Sequence, residues 1–478
     1  VDIDRDMPGK RVAEERNEDF LEIYGDYIDA KAKEQASRCS QCGVPFCQNH
    51  CPLENNIPDW LRLTAEGRIE EAYQVSAATN SMPEICGRIC PQDRLCEGSC
   101  VIEQSGHGTV TIGSVERYLT DTAWNEGWVA PIKPRRERPL SVGIIGAGPA
   151  GLAAAEQLRL QGWQVTVYDR HDRAGGLLMY GIPNFKLDKK IVNRRIEHLE
   201  KGGIEFVLNT EIGKNISFAE LRAKHAAVLI ATGVYKSRDL QVPGGGAQGV
   251  LEALPYLINS NRLGLGDKVK PQTAQGKDVV VIGGGDTAMD CVRTAIRQKA
   301  KSVTCLYRRD QANMPGSERE TTNAMDEGVT FKWLAAPQAL HDADGSVTKV
   351  RAVQMRLGLP DRSGRQTVTP VAGTEFDFRE LREFGASDLD HNYCVGLERE
   401  SLRPVCWLRS PDSGVTLEVS STEAGLQIYD ARHLGRAGLA IEPQVWPDSV
   451  NQTGFPSMTL KPDETYRAVT EFRLYTAG

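Results

Sequence analysis

The sequence predicts an α/β protein whose N-terminal part is helical and whose C-terminal part is all-β. Two stretches, at residues 142–152 and 278–288, each read as a strand, a glycine turn and a helix, which indicates parallel sheets. Eight of the twelve cysteines lie within 62 residues near the N-terminus. Beyond residue 370, apolar and polar residues alternate as they do in half-buried strands.

The composition is that of an ordinary globular protein. The chain has 478 residues, 40% hydrophobic and 25% charged, enough for about three domains. Its net charge of −7 argues against a nucleic-acid partner, because phosphate binding needs a basic face. No window is apolar for the length of a membrane span, and the first residues carry charges where a signal peptide has an apolar core. These features predict a cytoplasmic protein without a disulfide framework.

The first 128 residues are predicted to form a helical domain. Helical patterns run over residues 10–38, 58–79 and 112–124. Three prolines among charged residues then mark 129–139 as an interdomain linker. The first helical pattern carries an apolar stripe, interpreted as core packing, made of Phe20, Ile23, Tyr24, Tyr27 and Ile28.

Two runs of four cysteines occupy the helical domain. The spacers are two, four and three residues in the first run and three, five and three in the second, namely Cys39, Cys42, Cys47, Cys51 and Cys86, Cys90, Cys96, Cys100. Each run contains a Cys-Pro pair, as in iron–sulfur proteins where that cysteine ligates a second cluster. The eight thiols predict two [4Fe–4S] clusters. Structural zinc is the alternative, although zinc sites usually split their ligands into two separated knuckles. The remaining cysteines are predicted core residues, namely Cys291, Cys305, Cys394 and Cys406.

The first glycine turn has the G-x-G-x-x-G spacing of dinucleotide sites. Its glycines allow a tight turn, close approach of a pyrophosphate and close packing of helix on strand, and Asp169 stands where a carboxylate accepts ribose hydroxyls. A glycine turn that serves packing alone is the alternative. Residues 228–233 add a predicted buried strand that ends in a tight turn. The candidate binding residues are Gly146, Ala147, Gly148, Ala150, Gly151, Asp169, Gly176, Leu177 and Thr232.

The second glycine turn differs from the first in the residues that follow its second strand. That strand, residues 303–307, leads to two arginines instead of an acid, and guanidinium groups fit the 2′-phosphate of NADP. Ala288 replaces the third glycine, a change common in NADP sites. The candidate binding residues are Gly283, Gly284, Gly285, Asp286, Thr287, Arg308 and Arg309. Two Rossmann-like sites in one chain let a flavin face a nicotinamide, which predicts hydride transfer between them.

Residues 5 to about 370 resemble the small (beta) subunit of NADPH-dependent glutamate synthase. The resemblance rests on residues 39–51, 83–91 (Pro-Glu-Ile-Cys-Gly-Arg-Ile-Cys-Pro), 146–151, 175–183 (Gly-Gly-Leu-Leu-Met-Tyr-Gly-Ile-Pro) and 281–291. It implies FAD in the first site, NADPH in the second, two [4Fe–4S] clusters and a large (alpha) partner subunit that makes glutamate. A transhydrogenase-type subunit with another electron acceptor is the close alternative.

The related dihydropyrimidine dehydrogenases imply an interleaved set of cluster ligands. Carried over, one cluster takes Cys39, Cys42, Cys47 and Cys100. The other takes Cys51, Cys90 and Cys96, with Glu116 in the position of the fourth ligand. This assignment leaves Cys86 without a role, so Cys86 remains the alternative fourth ligand.

The resemblance changes near residue 370. After a β-hairpin with its turn at residues 342–345, the family is expected to continue with a last strand of the NADPH domain and a segment that completes the FAD site. Residues 371–478 instead resemble the last third of an aldose 1-epimerase, which implies Glu442 as general base and Asp390 as a sugar-binding carboxylate in a partial β-sandwich. A sugar-binding or epimerase-like function is therefore a second hypothesis. The predicted parts are 1–128, the linker 129–139, 140–260 for FAD, 261–370 for NADPH and 371–478.

Overall fold

The computed structural model describes residues 3–236, 240, 242–355, 371–385, 389–431, 438–447, 449, 455–462 and 464–476. The chain divides into two compact units, Val1–Arg356 and Leu357–Gly478. The first unit contains the helical part and two parallel sheets, and the second contains antiparallel sheets, which confirms the predicted fold class. None of the helices in the described part of the chain is long and apolar enough to cross a bilayer.

The N-terminal part consists of short helices around one apolar core. Trp60, Leu61 and Leu119 are almost completely buried there and belong to the same cluster. Its eight helices are α1 (Ala13–Arg16), α2 (Asp29–Ala36), α3 (Phe46–Asn49), α4 (Ile57–Ala65), α5 (Ile69–Ala77), α6 (Pro83–Ile89), α7 (Val101–Gln104) and α8 (Ile112–Asn125), and a 3₁₀ turn covers Gln92–Arg94. The predicted helix at residues 112–124 is confirmed, and the one at residues 58–79 is two helices.

The prediction of one helix over residues 10–38 is wrong. Between α1 and α2 the chain doubles back, and the backbone N–H of Gly25 donates to the Gly9 carbonyl at 2.8 Å. Glycine is a poor helix former, and the Asp19 carboxylate binds the backbone N–H of Leu21 at 2.9 Å, which competes with helical hydrogen bonds. The apolar stripe is correspondingly split, because Ile23 is buried whereas Ile28 is 73% exposed.

The first parallel sheet has the strand order β3-β2-β1-β4. Its strands are β1 (Ser141–Ile145), β2 (Gln164–Tyr168), β3 (Ile204–Val207) and β4 (Ala227–Ile230), and all three pairings are parallel. The helices of this region are α9 (Pro149–Leu160), α10 (Leu177–Tyr180), α11 (Lys189–Lys201) and α12 (Phe218–Lys224). This order places the end of β1 beside a neighbour on each side, where doubly wound sheets bind their ligands.

The second parallel sheet has three strands in the order β5-β6-β7. They are β5 (Asp278–Ile282), β6 (Ser302–Leu306) and β7 (Thr330–Lys332), accompanied by helices α13 (Ala253–Gly264), α14 (Asp286–Arg297) and α15 (Glu318–Asp326). A hairpin of β8 (Ala335–Ala343) and β9 (Ser346–Gln354) follows. Asp344 and Gly345 at its turn have φ values of 53° and 78°, so the predicted hairpin turn is confirmed.

Both parallel sheets leave apolar side chains uncovered. The strand at residues 227–230 was expected to be buried, but Leu229 is 40% and Ile230 63% exposed. On β5, Val280 and Ile282 are 41% and 38% exposed. The prediction for β4 is wrong because, among the described residues, no strand pairs beyond β4 and none pairs with the outer side of β5.

The second unit consists of two antiparallel three-stranded sheets. One has the order β10-β13-β14 with β10 (Asp390–Cys394), β13 (Gly425–Tyr429) and β14 (Ala440–Gln444). The other has the order β11-β12-β15 with β11 (Arg403–Arg409), β12 (Val415–Ser421) and β15 (Thr470–Thr476). Phe472 and Leu474 on β15 are 58% and 70% exposed, so this sheet presents apolar side chains at its surface. Cys394 ends β10 in an exposed position, and its predicted place in a core is therefore wrong.

Candidate functional site

The structure brings four thiols from distant parts of the helical domain together. Cys39, Cys47 and Cys100 pack against the core around Trp60. Burial, and after it the charges of Cys39, Cys100 and Cys42, raise the pKa of Cys47 to about 12. The Coulomb interaction weakens with distance, so thiols that raise one another's pKa are neighbours, and these four side chains form one group.

A second group contains Cys51, Cys96 and Glu116. Burial raises the pKa of the Cys96 thiol well above its usual value, and Glu116 and Cys51 are among the neighbours that raise it further. Burial likewise raises the pKa of Glu116, and the next largest cause is Cys86. The pKa of Cys86 is raised, and the neighbouring thiol of Cys90 is the largest cause. The candidate ligands of the second cluster and the alternative ligand Cys86 therefore lie in one region.

Asn80 connects Glu116 with Cys86. Its amide nitrogen donates to the Glu116 carboxylate at 3.2 Å, and its amide oxygen accepts from the Cys86 thiol at 3.7 Å. The two alternatives for the fourth ligand therefore share one hydrogen-bonding neighbour.

The donor chemistry of both groups fits iron–sulfur clusters. All twelve cysteines are free thiols, and seven of the eight candidate ligands are cysteines. Within the described ranges, no three Cys, His, Asp or Glu side chains converge closely enough to hold one metal ion. A cluster spreads its thiolates around an inorganic core, whereas zinc draws four ligands onto a single ion.

The first glycine turn has the close contacts that a pyrophosphate site needs. Gly146 has φ 111°, and a Cβ there would lie 2.4 Å from the carbonyl oxygen of Ala231 and 3.2 Å from the Cα of Thr232. A Cβ on Gly151 would lie 1.9 Å from the Gly146 oxygen, and one on Gly176 2.7 Å from the Cα of Gly148. The turn, the 175–176 loop and Thr232 therefore converge at the N-terminus of α9, which begins at residues Pro149, Ala150 and Gly151. Leu177 starts α10 directly after this loop.

Asp169 lies within this site and is held by its neighbours. Its carboxylate accepts the backbone N–H of Ala147 at 2.8 Å and both the backbone N–H and ring Nδ1 of His171 at 2.8 Å. Burial by itself raises the pKa of Asp169, but these hydrogen bonds hold the pKa below its usual value. The carboxylate is therefore ionised and positioned to accept hydroxyl donors. Sequence reasoning missed His171, whose signal was its position two residues after the acid.

The second glycine turn is packed against an aromatic ring. A Cβ on Gly284 would lie 2.5 Å from the ring of Tyr307, whereas Gly285 has open space around it. Gly283 precedes the turn with φ 145°, and Asp286 begins α14 with Thr287 exposed beside it. The open space at Gly285 and the N-terminus of a 12-residue helix are the features that an incoming phosphate uses.

Arg308 and Arg309 follow β6 and lie at its carboxyl end. Both side chains are exposed, and in the described part of the chain neither guanidinium has a carboxylate partner. Cations without an internal partner are available to an anionic ligand.

The segment after the 175–183 loop joins the two dinucleotide regions, a contact that sequence reasoning missed. Phe185 is 1% exposed, and the guanidinium carbons of Arg293 and Arg297 lie 4.6 and 4.0 Å from its ring centroid. Lys186 Nζ lies 3.0 Å from Asp290 Oδ1 on α14 and 3.5 Å from Glu320 Oε2 on α15. Stacking and ion pairs together fix the first dinucleotide region on the second.

The epimerase-like candidates lie on neighbouring strands of the second unit. Gln427 on β13 donates to the Asp390 carboxylate at 2.9 Å and pairs in register with Glu442 on β14. Glu442 is exposed. Their proximity is that of residues two strands apart in an antiparallel sheet.

Three protein families match successive parts of the chain. Residues 16–128 match dihydropyrimidine dehydrogenase domain II, 4Fe-4S cluster, and residues 140–357 match pyridine nucleotide-disulphide oxidoreductase. Residues 346–473 match aldose 1-epimerase.

Three curated relatives each align with more than three quarters of this chain. The chain is 63% identical over 375 residues to the glutamate synthase (NADPH) small chain of Azospirillum brasilense, which is 77% of this chain and 78% of that protein. It is 47% identical over 380 residues to the glutamate synthase (NADPH) small chain of Escherichia coli K12, covering 78% and 80% of the two chains. The putative oxidoreductase AegA of Escherichia coli K12 is 47% identical over 378 residues, 78% of this chain and 57% of that protein. The chain therefore belongs to the glutamate synthase (NADPH) small chain family.

Proposed function

We propose that this chain is an NADPH-oxidising electron-input subunit that works with the large subunit of glutamate synthase. FAD in the first site, NADPH in the second and two [4Fe–4S] clusters would supply the hydride and single-electron chemistry that side chains lack. One observation carries the proposal: α6, which ends at Ile89 directly before Cys90, packs on the loop of the first site. Ile85 of α6 shares a buried cluster with Leu178 and Met179. The thiol groups and the first dinucleotide site therefore adjoin.

The chain's own residues would bind and orient the two nucleotides. The N-terminus of α9 and the Asp169 carboxylate face the positions of a pyrophosphate and a ribose. Arg308 and Arg309 offer positive charge at the carboxyl end of β6. Phe185, stacked on Arg293 and Arg297, holds the two regions in one relative orientation. A fixed orientation lowers the entropic cost of bringing two reacting rings together.

The proposed ligands follow the two groups of side chains. Cys39, Cys42, Cys47 and Cys100 would hold one cluster, which is supported by their mutual electrostatic contacts. Cys51, Cys90, Cys96 and Glu116 would hold the other, with Cys86 as the alternative to Glu116. The hydrogen bonds from Asn80 and Ser76 to Glu116, at 3.2 and 3.5 Å, support a carboxylate that is already oriented.

Weak FAD binding is part of the proposal. The pyrophosphate end of the site is complete, but Ile230 and Val234 near its other end are 63% and 82% exposed. A flavin ring needs a covered apolar surface, and the segment that the family resemblance implies for this role is replaced by residues 371–478. The domain limits 1–128, 140–260, 261–370 and 371–478 remain a proposal.

The electron acceptor has a second candidate. Identity to AegA, a putative oxidoreductase, equals identity to the Escherichia coli glutamate synthase small chain at 47%. Because this similarity extends beyond proteins named as glutamate synthase chains, a subunit that passes electrons to another acceptor is the second candidate.

An absorption spectrum and a reconstitution test the proposal. The purified chain is expected to show iron–sulfur absorption with a smaller flavin contribution, and to reduce a dye with NADPH slowly. Added large subunit is expected to give NADPH-dependent glutamate formation from glutamine and 2-oxoglutarate. Dye reduction without glutamate formation would favour the second acceptor, and a chain with neither flavin nor labile sulfide would contradict both candidates.

A further inference from the structure

The 3₁₀ turn between two candidate cluster ligands reaches the second dinucleotide site. The turn covers Gln92–Arg94, between Cys90 and Cys96. Gln92 is 2% exposed, and its side-chain nitrogen donates to the Cys86 carbonyl at 3.1 Å. The turn is therefore anchored to α6, the helix that carries Cys86.

Asp93 caps a helix of the second dinucleotide region. Its two carboxylate oxygens accept the Ser317 hydroxyl at 2.7 Å and the backbone N–H of Glu318 at 2.8 Å. Glu318 begins α15, and the N-cap residue Ser317 makes no cap hydrogen bond of its own. Asp93 thus satisfies an N-terminal N–H of α15 from a distant part of the chain, and its charge suits that end of the helix.

Arg94 binds the segment just before this helix. Its guanidinium donates to the carbonyls of Met314 and Gly316 at 2.6 and 3.2 Å. Together, Asp93 and Arg94 make four hydrogen bonds to residues 314–318.

Residues 314–317 in turn pack on the second glycine turn. The backbone N–H of Gly316 donates to the Gly284 carbonyl at 2.9 Å, and that of Ser317 donates to Asp286 Oδ1 at 3.0 Å. The fit is close, because a Cβ on Gly316 would lie 3.0 Å from the Gly284 oxygen and 3.3 Å from the Gly285 carbonyl carbon.

The same loop begins with the two exposed arginines. Residues 308–317 connect the end of β6 to α15, and Tyr307, whose ring covers Gly284, donates its hydroxyl to the Asn313 carbonyl at 3.1 Å. One loop thus carries the candidate 2′-phosphate cations at its start and touches the phosphate turn at its end.

We infer that Asp93 and Arg94 are positioning residues for the nicotinamide dinucleotide: from the iron–sulfur domain, they hold the 308–317 loop in its binding conformation. The inference rests on the proposed assignment of the second site to NADPH. A loop that is already ordered binds its ligand more tightly, because less entropy is lost on binding. The iron–sulfur domain therefore contributes to nucleotide affinity without touching the nucleotide.

Equilibrium binding of NADPH to the full chain, followed by its fluorescence, tests this role. Asp93→Ala and Arg94→Met are each expected to raise Kd for NADPH about fivefold to tenfold, as loss of a helix cap or of two hydrogen bonds does. KM for NADPH should rise with kcat unchanged, because the residues act on binding. Iron, sulfide and flavin contents should stay at wild-type values. Asp59→Ala is the matched control, an exposed acid on α4 that has no hydrogen-bond partner among the described residues.

The outcomes separate this inference from the site assignment. Unchanged Kd in Arg94→Met with native iron content overturns the positioning role. If Asp93→Ala loses iron, Arg94→Met is the deciding variant. Among the described residues, the Arg94 side chain bonds the carbonyls of Met314 and Gly316 and makes a long contact with Asp93. The double variant Arg308→Ala, Arg309→Ala is measured alongside. If the double variant binds NADPH more weakly while Arg94→Met binds it as the wild type does, the second site can still be assigned to NADPH. If all of these variants bind NADPH as the wild type does, the assignment of the second site to NADPH is contradicted.

Discussion

Glu84 and Arg195 form a buried, two-point ion pair between the thiol-bearing helix α6 and helix α11 of the first dinucleotide region. Arg195 Nε and Nη2 lie 2.7 and 2.9 Å from the two carboxylate oxygens, and the Glu84 side chain is 0% exposed. Opposite charges at this distance, removed from water, raise the pKa of Arg195 although burial alone lowers it. Because Glu84 stands two residues before Cys86, the pair ties the candidate cluster domain to the first dinucleotide region.

Replacing Glu84 by glutamine should destabilise the chain strongly. Arg195 would keep its charge in a buried place without a full counter-charge, which costs about 3–5 kcal/mol. The free energy of unfolding from urea denaturation measures this cost. Glu137→Gln is the control, because that pair with Arg159 has a 60% exposed carboxylate and should change stability far less than the buried pair does. If Glu84→Gln and Glu137→Gln lowered the free energy of unfolding equally, the buried pair would contribute no more to stability than the exposed pair.

Serine at Cys47 should remove a cluster, whereas serine at Cys86 should not. Cys47 lies among Cys39, Cys42 and Cys100, and each is a proposed ligand of one cluster. Cys86 is outside the proposed set. Iron and labile sulfide per chain are the measurement, with about four of each expected to be lost from Cys47→Ser. Equal losses from the two variants would instead make Cys86 a ligand, and a parallel Glu116→Gln variant would then be expected to keep its iron.

The double change Arg308→Ala, Arg309→Ala should remove most of the preference for NADPH over NADH. Charge-assisted hydrogen bonds to a phosphate contribute about 1.5–3 kcal/mol each, which corresponds to tenfold to hundredfold discrimination. The ratio of kcat/KM for the two nucleotides measures it. Affinity for NADH should stay unchanged, since NADH lacks the phosphate. An unaltered ratio would mean that other side chains bind the 2′-phosphate.

Acid should destabilise the first unit partly through Glu320. Burial alone raises the pKa of this carboxyl, but Lys186, Arg293 and Arg319 lower it to about 2 from an ordinary 4.5. A lowered folded-state pKa means that the stabilisation is complete above about pH 4.5 and is lost as the pH falls toward 2. The free energy of unfolding should therefore fall less steeply below pH 4.5 in Glu320→Gln than in the wild type. Parallel slopes would exclude Glu320 as a source of the acid sensitivity.

Exchanging residues 371–478 for the C-terminal segment of a glutamate synthase small chain should raise FAD content and dye reduction. The exchange is expected to cover Ile230 on β4 and Val280 on β5, which are 63% and 41% exposed in this chain. Net stability of a domain is only about 5–15 kcal/mol, so uncovered core surface has a large effect. Bound FAD per chain and NADPH-dependent dye reduction are the measurements. Equal values in the two proteins would make the epimerase-like segment a tolerated appendage.

The parts of the fold that depend on local pattern could be predicted from the sequence. Glycine spacing and apolar strands located both dinucleotide turns, and Asp344-Gly345 marked the hairpin. The prediction of one helix over residues 10–38 was wrong. The hydrogen bond between Gly25 and Gly9 and the local hydrogen bond of Asp19 outweigh the helical periodicity of the sequence. Whether β4 is buried depends on residues that are distant in the sequence. A local sequence pattern does not show whether such residues pack on the strand.

The candidate site shows the same division. Motifs identified the candidate binding residues, such as Asp169, which lies beside the first glycine turn. The residues that connect the domains carry no motif, since Phe185 and Asp93 act through partners more than 100 positions away. Only the three-dimensional structure brings such residues together.

Strands β1 and β5 differ in the number of strands bonded to them in the described part of the chain. The two strands should therefore exchange their amide hydrogens at different rates. Strand β1 is hydrogen-bonded to β2 and β4 on its two sides, whereas in the described part of the chain β5 is bonded to β6 alone. Alternate N–H groups of a parallel strand point to opposite sides, so about half of those on β5 face outward and lack a strand acceptor. Deuterium should enter β5 early and β1 late, so the outer edge of the second parallel sheet should be the less protected of the two.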